Sequence, residues 1–205
     1  MDADNVLPLL YKAETAFTLN SVLQYATSSI LRVDPNRPPI IGFGTSLSFD
    51  GVEDHLIVED SNSLTSQNSL TISAWFKKES GSSLMGLVGK GTSDQNEEYY
   101  LAVNNSQVYF DVGAGGGPYI QQNASIKIGE WQHIAAVHNR INGISSLKIY
   151  LDGEDIGGTV INSSATPNNN NHPLTIGVRT SNGFYGQYFK GELDEVQIWN
   201  LALDI

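Results

Sequence analysis

Cysteine is absent from this chain, which removes a disulfide framework, a thiolate metal site and a cysteine nucleophile together. Basic residues are scarce: 11 Lys and Arg stand against 22 Asp and Glu, a formal charge of −11. Such a surface repels a phosphate backbone, and Lys77-Lys78, the densest basic run, is too small a patch to hold nucleic acid. No apolar run approaches the roughly 18–20 residues of a membrane span. The opening Met1-Asp2-Ala3-Asp4 is acidic where a secretory signal is basic, so no signal peptide is visible. The expectation is that export is directed elsewhere or that the chain is a piece of a longer polypeptide.

What is present is a globular composition. Of 205 residues 40% are hydrophobic, and nine tyrosines and three tryptophans are spread along the chain. That length can bury a core without staples.

The first 40 residues differ from the rest. Ala16, Leu19, Leu23, Ala26 and Ile30 recur at spacings of three and four, which predicts a helix over about 12–31. A strand alternation of Phe17, Leu19, Leu23 and Tyr25, broken at Ser21, is the alternative. Pro35, Pro38 and Pro39 then end any regular element and make a linker. Residues 1–40 therefore read as an extension, and residues 41–205 as the domain proper.

After the linker the period becomes two. Leu70, Ile72, Ala74 and Phe76 alternate with Thr71, Ser73 and Trp75; Ile134 and Ala136 alternate with His133, Ala135 and Val137; Leu147, Ile149 and Leu151 alternate with Lys148 and Tyr150. Asn142-Gly143 and Asp152-Gly153 suit tight hairpins, whose central residues take positive φ. Short strands with regular turns predict an all-β, two-sheet antiparallel sandwich, with Ile72, Ala74, Ile134, Ala136, Leu147 and Ile149 between the sheets.

Six ordered motifs carry a family resemblance. They are Leu47-Ser48-Phe49-Asp50-Gly51, Leu70 to Phe76, Gly129-Glu130-Trp131-Gln132-His133, Ile149-Tyr150-Leu151-Asp152-Gly153, Leu174-Thr175-Ile176-Gly177, and Phe189 to Asn200. Together they resemble the laminin-G-like, concanavalin-A-like jelly-roll family. The resemblance implies a laminin-G-like jelly roll and a lectin-type, non-catalytic role. It also implies calcium joining the opening and closing strands through Asp50, Gly51 and Asp194. The competing reading is that Asp50 sets up its own turn and Asp194 pairs with a cation such as Lys190.

Catalysis must be argued from residues, because the same superfold hosts glucanases. The nearest approach to a paired-carboxylate strand is Glu192-x-Asp194-x-x-Gln197, whose third position is an amide that cannot shuttle a proton. Gly86 to Gly91 lacks the spacing and hydroxyl of a phosphate loop, and residues 113–118 open no helix. His133 and His138, an odd number apart on a strand, face opposite ways. Asp94, Asn96, Glu97 and Glu98 read as a solvated acidic loop. The chain reads as a non-enzyme.

Carbohydrate is the ligand class the resemblance implies. Sugars are held by aromatic faces with amides and carboxylates, and the candidates are Tyr119, Asn169 within the Asn168 to Asn171 tract, Phe184 and Tyr185. The expected function is recognition of glycan or protein on an extracellular or cell-surface assembly. The alternative is a structural subunit decorating a fibre, filament or injection-device tail, attached through residues 1–40.

Overall fold

A computed structural model describes residues 17–18, 32–34, 46–65, 68–92, 97–113, 116–181 and 183–204, with backbone alone at 17–18 and 32–34. The strands in chain order are β1 (Phe17–Thr18), β2 (Arg32–Asp34), β3 (Ser46–Asp50), β4 (Leu56–Val58), β5 (Ser69–Lys78), β6 (Met85–Lys90), β7 (Tyr99–Val103) and β8 (Gln107–Asp111). They continue as β9 (Tyr119–Asn123), β10 (Trp131–Ile141), β11 (Ile144–Leu151), β12 (Glu154–Asp155), β13 (Leu174–Ile176), β14 (Arg179–Ser181), β15 (Phe184–Gly186) and β16 (Lys190–Trp199).

Two antiparallel sheets face each other. The larger runs β12-β11-β10-β5-β16-β3-β2, the smaller β4-β13-β6-β7-β8-β9, and β14 and β15 form a separate hairpin. Register explains the core. Ile134 lies opposite Ala74 and Leu151, and Ala136 opposite Ile72 and Ile149, so every second residue of three strands points one way. All six residues expected between the sheets are buried there, packed against Leu101, Phe110, Ile176 and others of the facing sheet. Burying the isoleucine and leucine side chains among them contributes about 1.5–3 kcal/mol each.

Both hairpin expectations hold. Asn142 and Gly143 have φ of 51° and 80°, Asp152 and Gly153 of 53° and 85°, the left-handed pair a two-residue turn requires. The first closes β10 onto β11 and the second β11 onto β12.

The N-terminal helix needs correction where it can be seen. Phe17 and Thr18 are extended and pair with Ile198 and Gln197 of β16, and β2 pairs with β3. β3 reaches only as far as Leu193 on that flank of β16, so β1 meets backbone groups that β3 leaves open. The rest of the expected helix lies outside the described residues.

Candidate functional site

The site is on the outer face of the six-stranded sheet. β7 turns Tyr99, Leu101 and Val103 into the core, which sends Tyr100 and Ala102 outward; β8 buries Val108 and Phe110 and presents Tyr109 and Asp111. Across the sheet, Thr175 lies opposite Gly89, Gly89 opposite Tyr100, Tyr100 opposite Asp111, and Asp111 opposite Tyr119. Those pairings make one lateral row. Gly89 has a definite role in it, since a Cβ there would lie 3.2 Å from the Tyr100 ring.

Over Tyr100 lies an ion pair. Arg179 Nε donates to Glu97 Oε1 at 2.9 Å and Nη2 to Oε2 at 2.5 Å, while the guanidinium carbon sits 4.2 Å from the centre of the Tyr100 ring. The Tyr100 hydroxyl donates to Gln187 Oε1 at 2.7 Å. Glu97 is 1% exposed. Burial lifts its carboxyl to about 7, despite Arg179, with the Asp111 charge adding to the rise. Expecting a solvated loop was therefore wrong for Glu97 and Glu98. Glu98 is fully buried and accepts from Lys90 Nζ at 2.8 Å. Asp94 and Asn96 lie outside the described residues.

Beside that pair the floor is aromatic. Tyr109 stacks obliquely between Tyr100 and Tyr119, with ring centres 6.2 and 5.7 Å away, and its hydroxyl donates to Asp111 Oδ2 at 2.8 Å. Asp111 is 5% exposed, and its carboxylate also accepts from the backbone amides of Gly113 and Val112. Burial raises its pKa above the usual carboxylate value, although Tyr109 and Arg179 oppose that shift.

Loops wall the floor. Asn168 Nδ2 donates to the Glu97 carbonyl, and the backbone at Gly113 leaves only 3.2 Å between an added Cβ and the Asn168 nitrogen. Asn169 is exposed on that loop. On the other side stands the β14–β15 hairpin that carries Arg179, with Phe184 and Tyr185 opposite Ser181 and Thr180. Phe184 is 76% exposed, and Tyr185 stacks on His55 with ring centres 4.4 Å apart. Tyr185 also lines a cleft of about 350 Å³ with Gly91, Thr92, His172, Pro173, Thr180 and Gly183. Of the four expected ligand residues, Tyr119 is in the floor, Asn169 is on a wall, and Phe184 and Tyr185 are out along the hairpin. Sequence reading missed Tyr109, Asp111, Glu97 and Arg179. The signal for two of them was there, in the outward positions of Val108-Tyr109-Phe110-Asp111.

The metal residues are not brought together. β3 pairs with β16 at Asp50 opposite Lys190, which puts Asp194 four residues further along, about 13 Å at 3.3 Å per residue. Asp50 Oδ1 accepts the amides of Val52, Glu53 and Asp54, and Gly51 takes φ of 80° in the turn. Asp194 is buried on the outer face of the larger sheet and accepts from the Glu195 amide at 2.8 Å. Lys190 pairs with Glu79 at 3.6 Å instead of with Asp194. Among the described residues there is no group of three or more His, Asp or Glu arranged to hold a metal. On the same strand Glu192 accepts from Lys77 at 2.7 Å and from Ser46 at 2.7 Å. His133 and His138 do part, one against Trp75 and the other in the core.

A two-sheet antiparallel sandwich of this kind is a lectin-type fold. The chain belongs to the concanavalin A-like lectin/glucanases superfamily, whose laminin-G model matches residues 50–204. No curated protein matches it. Solved structures do. A heptameric SAP-like pentraxin from Limulus polyphemus aligns at a TM-score of 0.60 and 20% identity, over 78% of this chain and 77% of that one. The sialidase CBM40 of Ruminococcus gnavus, bound to α2,3-sialyllactose, aligns at 0.61 and 13%, over 78% and 91%. Domain 4 of AbnA, an extracellular arabinanase from Geobacillus stearothermophilus in complex with arabinotriose, aligns at 0.60 and 20%, over 86% and 78%. At these identities the likeness is one of fold.

Proposed function

We propose that this domain is a non-catalytic module that recognises glycan on the outer face of its six-stranded sheet, in an extracellular or cell-surface setting. The observation that carries the reading is the row of Tyr109 and Tyr119 rings beside the Asp111 carboxylate. A sugar presents an apolar C–H face to an aromatic ring and hydroxyl donors at its edge, and this floor offers a counterpart to each. The Glu97–Arg179 pair and Tyr100 hold the floor rigid; Asn169 and the hairpin aromatics border it. The glycan complexes of the CBM40 and arabinanase domains add support by fold. Screening the protein on a glycan array, then titrating hits into wild type and Asp111→Ala, tests the proposal. The expected result is saturable binding that Asp111→Ala weakens roughly tenfold or more, the worth of a hydrogen bond to a charged group. Unchanged binding in the variant would move the site elsewhere.

A second reading, assembly through residues 1–40, draws on β2. This three-residue strand ends the order of the larger sheet, and sheet edges pair with other chains. Light scattering over a concentration series tests it. Association that disappears when Leu19, Leu23 and Ile30 are changed to Glu supports attachment, and a monomer at every concentration refutes it.

A further inference from the structure

We infer that the cleft between the β14–β15 hairpin and the ends of β6 and β13 is a second binding site, shaped for a single uncharged sugar ring. The site uses residues other than those of the floor and does not depend on the glycan reading of that floor. Leu174 lies opposite Lys90, so Gly91-Thr92, which follow β6, and His172-Pro173, which precede β13, emerge side by side at one end of the sheet. Thr180 and Tyr185, partners in the hairpin, make the third wall. These walls bound about 350 Å³, near the lower end of the roughly 300–1,000 Å³ of small-ligand pockets.

Two buried cations hold the walls in place. Lys90, fully buried, reaches Glu98 at 2.8 Å, Asp60 at 2.9 Å and the Asn170 carbonyl at 2.9 Å. Asn170 Oδ1 in turn accepts the His172 amide at 2.9 Å, so one ammonium ties the strand leading into Thr92 to the loop that carries His172. Arg179, next to Thr180 on the hairpin, is fixed to the buried Glu97 by two hydrogen bonds. A buried pair is costly to break, and it resists movement of the segments it joins.

The lining has an apolar side and a polar side. Tyr185 spends one ring face on His55, 4.4 Å between centres, yet stays 41% exposed, and Pro173 adds a second apolar ring. The hydroxyls of Thr92 and Thr180 and the His172 ring nitrogens make no hydrogen bond within the described chain. Each hydroxyl both donates and accepts, and a neutral imidazole does one of each. No described residue in the lining is Asp, Glu, Lys or Arg. A phosphate would need a cation, and a calcium ion would need carboxylate oxygens. A sugar ring needs what is present: an apolar surface for its C–H face and uncharged donors and acceptors for its hydroxyls.

The test is a titration followed by NMR, adding methyl glycosides of glucose, galactose, arabinose and N-acetylglucosamine, with cyclohexanol as a ring bearing a single hydroxyl. At least one glycoside should give saturable shifts at Thr92, His172 and Tyr185, with the millimolar Kd that so small a ligand allows. His172→Ala, at an exposed residue, should weaken that binding roughly threefold or more, and Tyr185→Ala by as much. Cyclohexanol should bind at least about tenfold more weakly than the glycoside. The shifts are read on wild type, so the test stands even if a variant misfolds. Equal affinity for cyclohexanol, shifts confined to Tyr109, Asp111 and Tyr119, or no saturable shift at up to about 50 mM would each overturn the inference. The second of these would leave glycan recognition on the floor in place. Failure of the floor reading shows separately, as array hits that Asp111→Ala binds as wild type does.

Discussion

The outer faces of the two sheets are built to opposite ends. On the larger sheet the chain seals its own surface. Thr71 Oγ1 donates to the Leu201 carbonyl at 2.7 Å and accepts from the Leu203 amide at 3.0 Å, Ser69 donates to the Asn200 carbonyl, and Ala202 packs on Ala135, Val137 and Tyr150. On the smaller sheet a buried ion pair, the Asp111 carboxylate and three tyrosines form a polar, aromatic floor. Polar groups on a sheet's outside are structural when the chain answers them. A row of aromatic rings beside a carboxylate offers a sugar both an apolar face and acceptors.

The largest effect that would break the comparison is at Arg179. Arg179→Ala leaves Glu97 buried without its partner, and urea unfolding should show a loss of about 3 kcal/mol at pH 8. A loss near zero would mean that the pair does not organise the face. Thr71→Val cuts two bonds on the sealed side. It should cost about 1–2 kcal/mol and leave glycan affinity unchanged.

Acidity separates a core group from a face group. His138 is fully buried, accepting or donating to Ser145 at 2.9 Å, and burial followed by the Arg140 charge depresses its pKa to about 4. The unfolded chain takes up that proton near 6.5, so the contribution is present above 6.5 and lost as pH falls to about 4, by roughly 3 kcal/mol. Glu97 has the opposite sign. Its folded pKa, raised to about 7, lets the folded state hold a proton that the unfolded state releases near 4.5, so stability rises as pH falls from 7 to 4.5. Melting temperature against pH should then be shallow in wild type. It should rise on acidification in His138→Leu and fall in Glu97→Gln. Parallel curves for all three would refute both assignments.

The smallest effect concerns calcium. With Asp50 and Asp194 four residues apart in register, a double-mutant comparison of Asp50→Ala and Asp194→Ala should show no shared calcium dependence in melting. A common calcium-dependent shift would contradict that separation.

Much of the fold was legible because local chemistry dictates it. The alternation through Leu70 to Phe76 sets which residues face inward, and Asn142-Gly143 and Asp152-Gly153 name their turns. The site was less legible because it is made by distant pairings. Arg179 meets Glu97 across 82 residues of chain, and nothing near Glu97 reveals that it leaves water. The spacing of Ala16, Leu19, Leu23 and Ala26 favoured a helix, while Phe17 and Thr18 pair with an open flank of β16 that local sequence does not display. Asp50 and Asp194 sit in motifs at the two ends of the domain, yet only strand register shows how far apart they fall.

The most direct measurement is calorimetry of one array-selected glycan against wild type, Asp111→Ala, Tyr119→Ala and Trp75→Ala. If the outer face of the smaller sheet is the binding surface, the first two variants lose roughly tenfold or more in affinity and keep their melting temperatures. Trp75→Ala, on the larger sheet's outer face, binds as wild type. Affinity lost in Trp75→Ala and kept in the other two would place recognition on the opposite face and contradict the account.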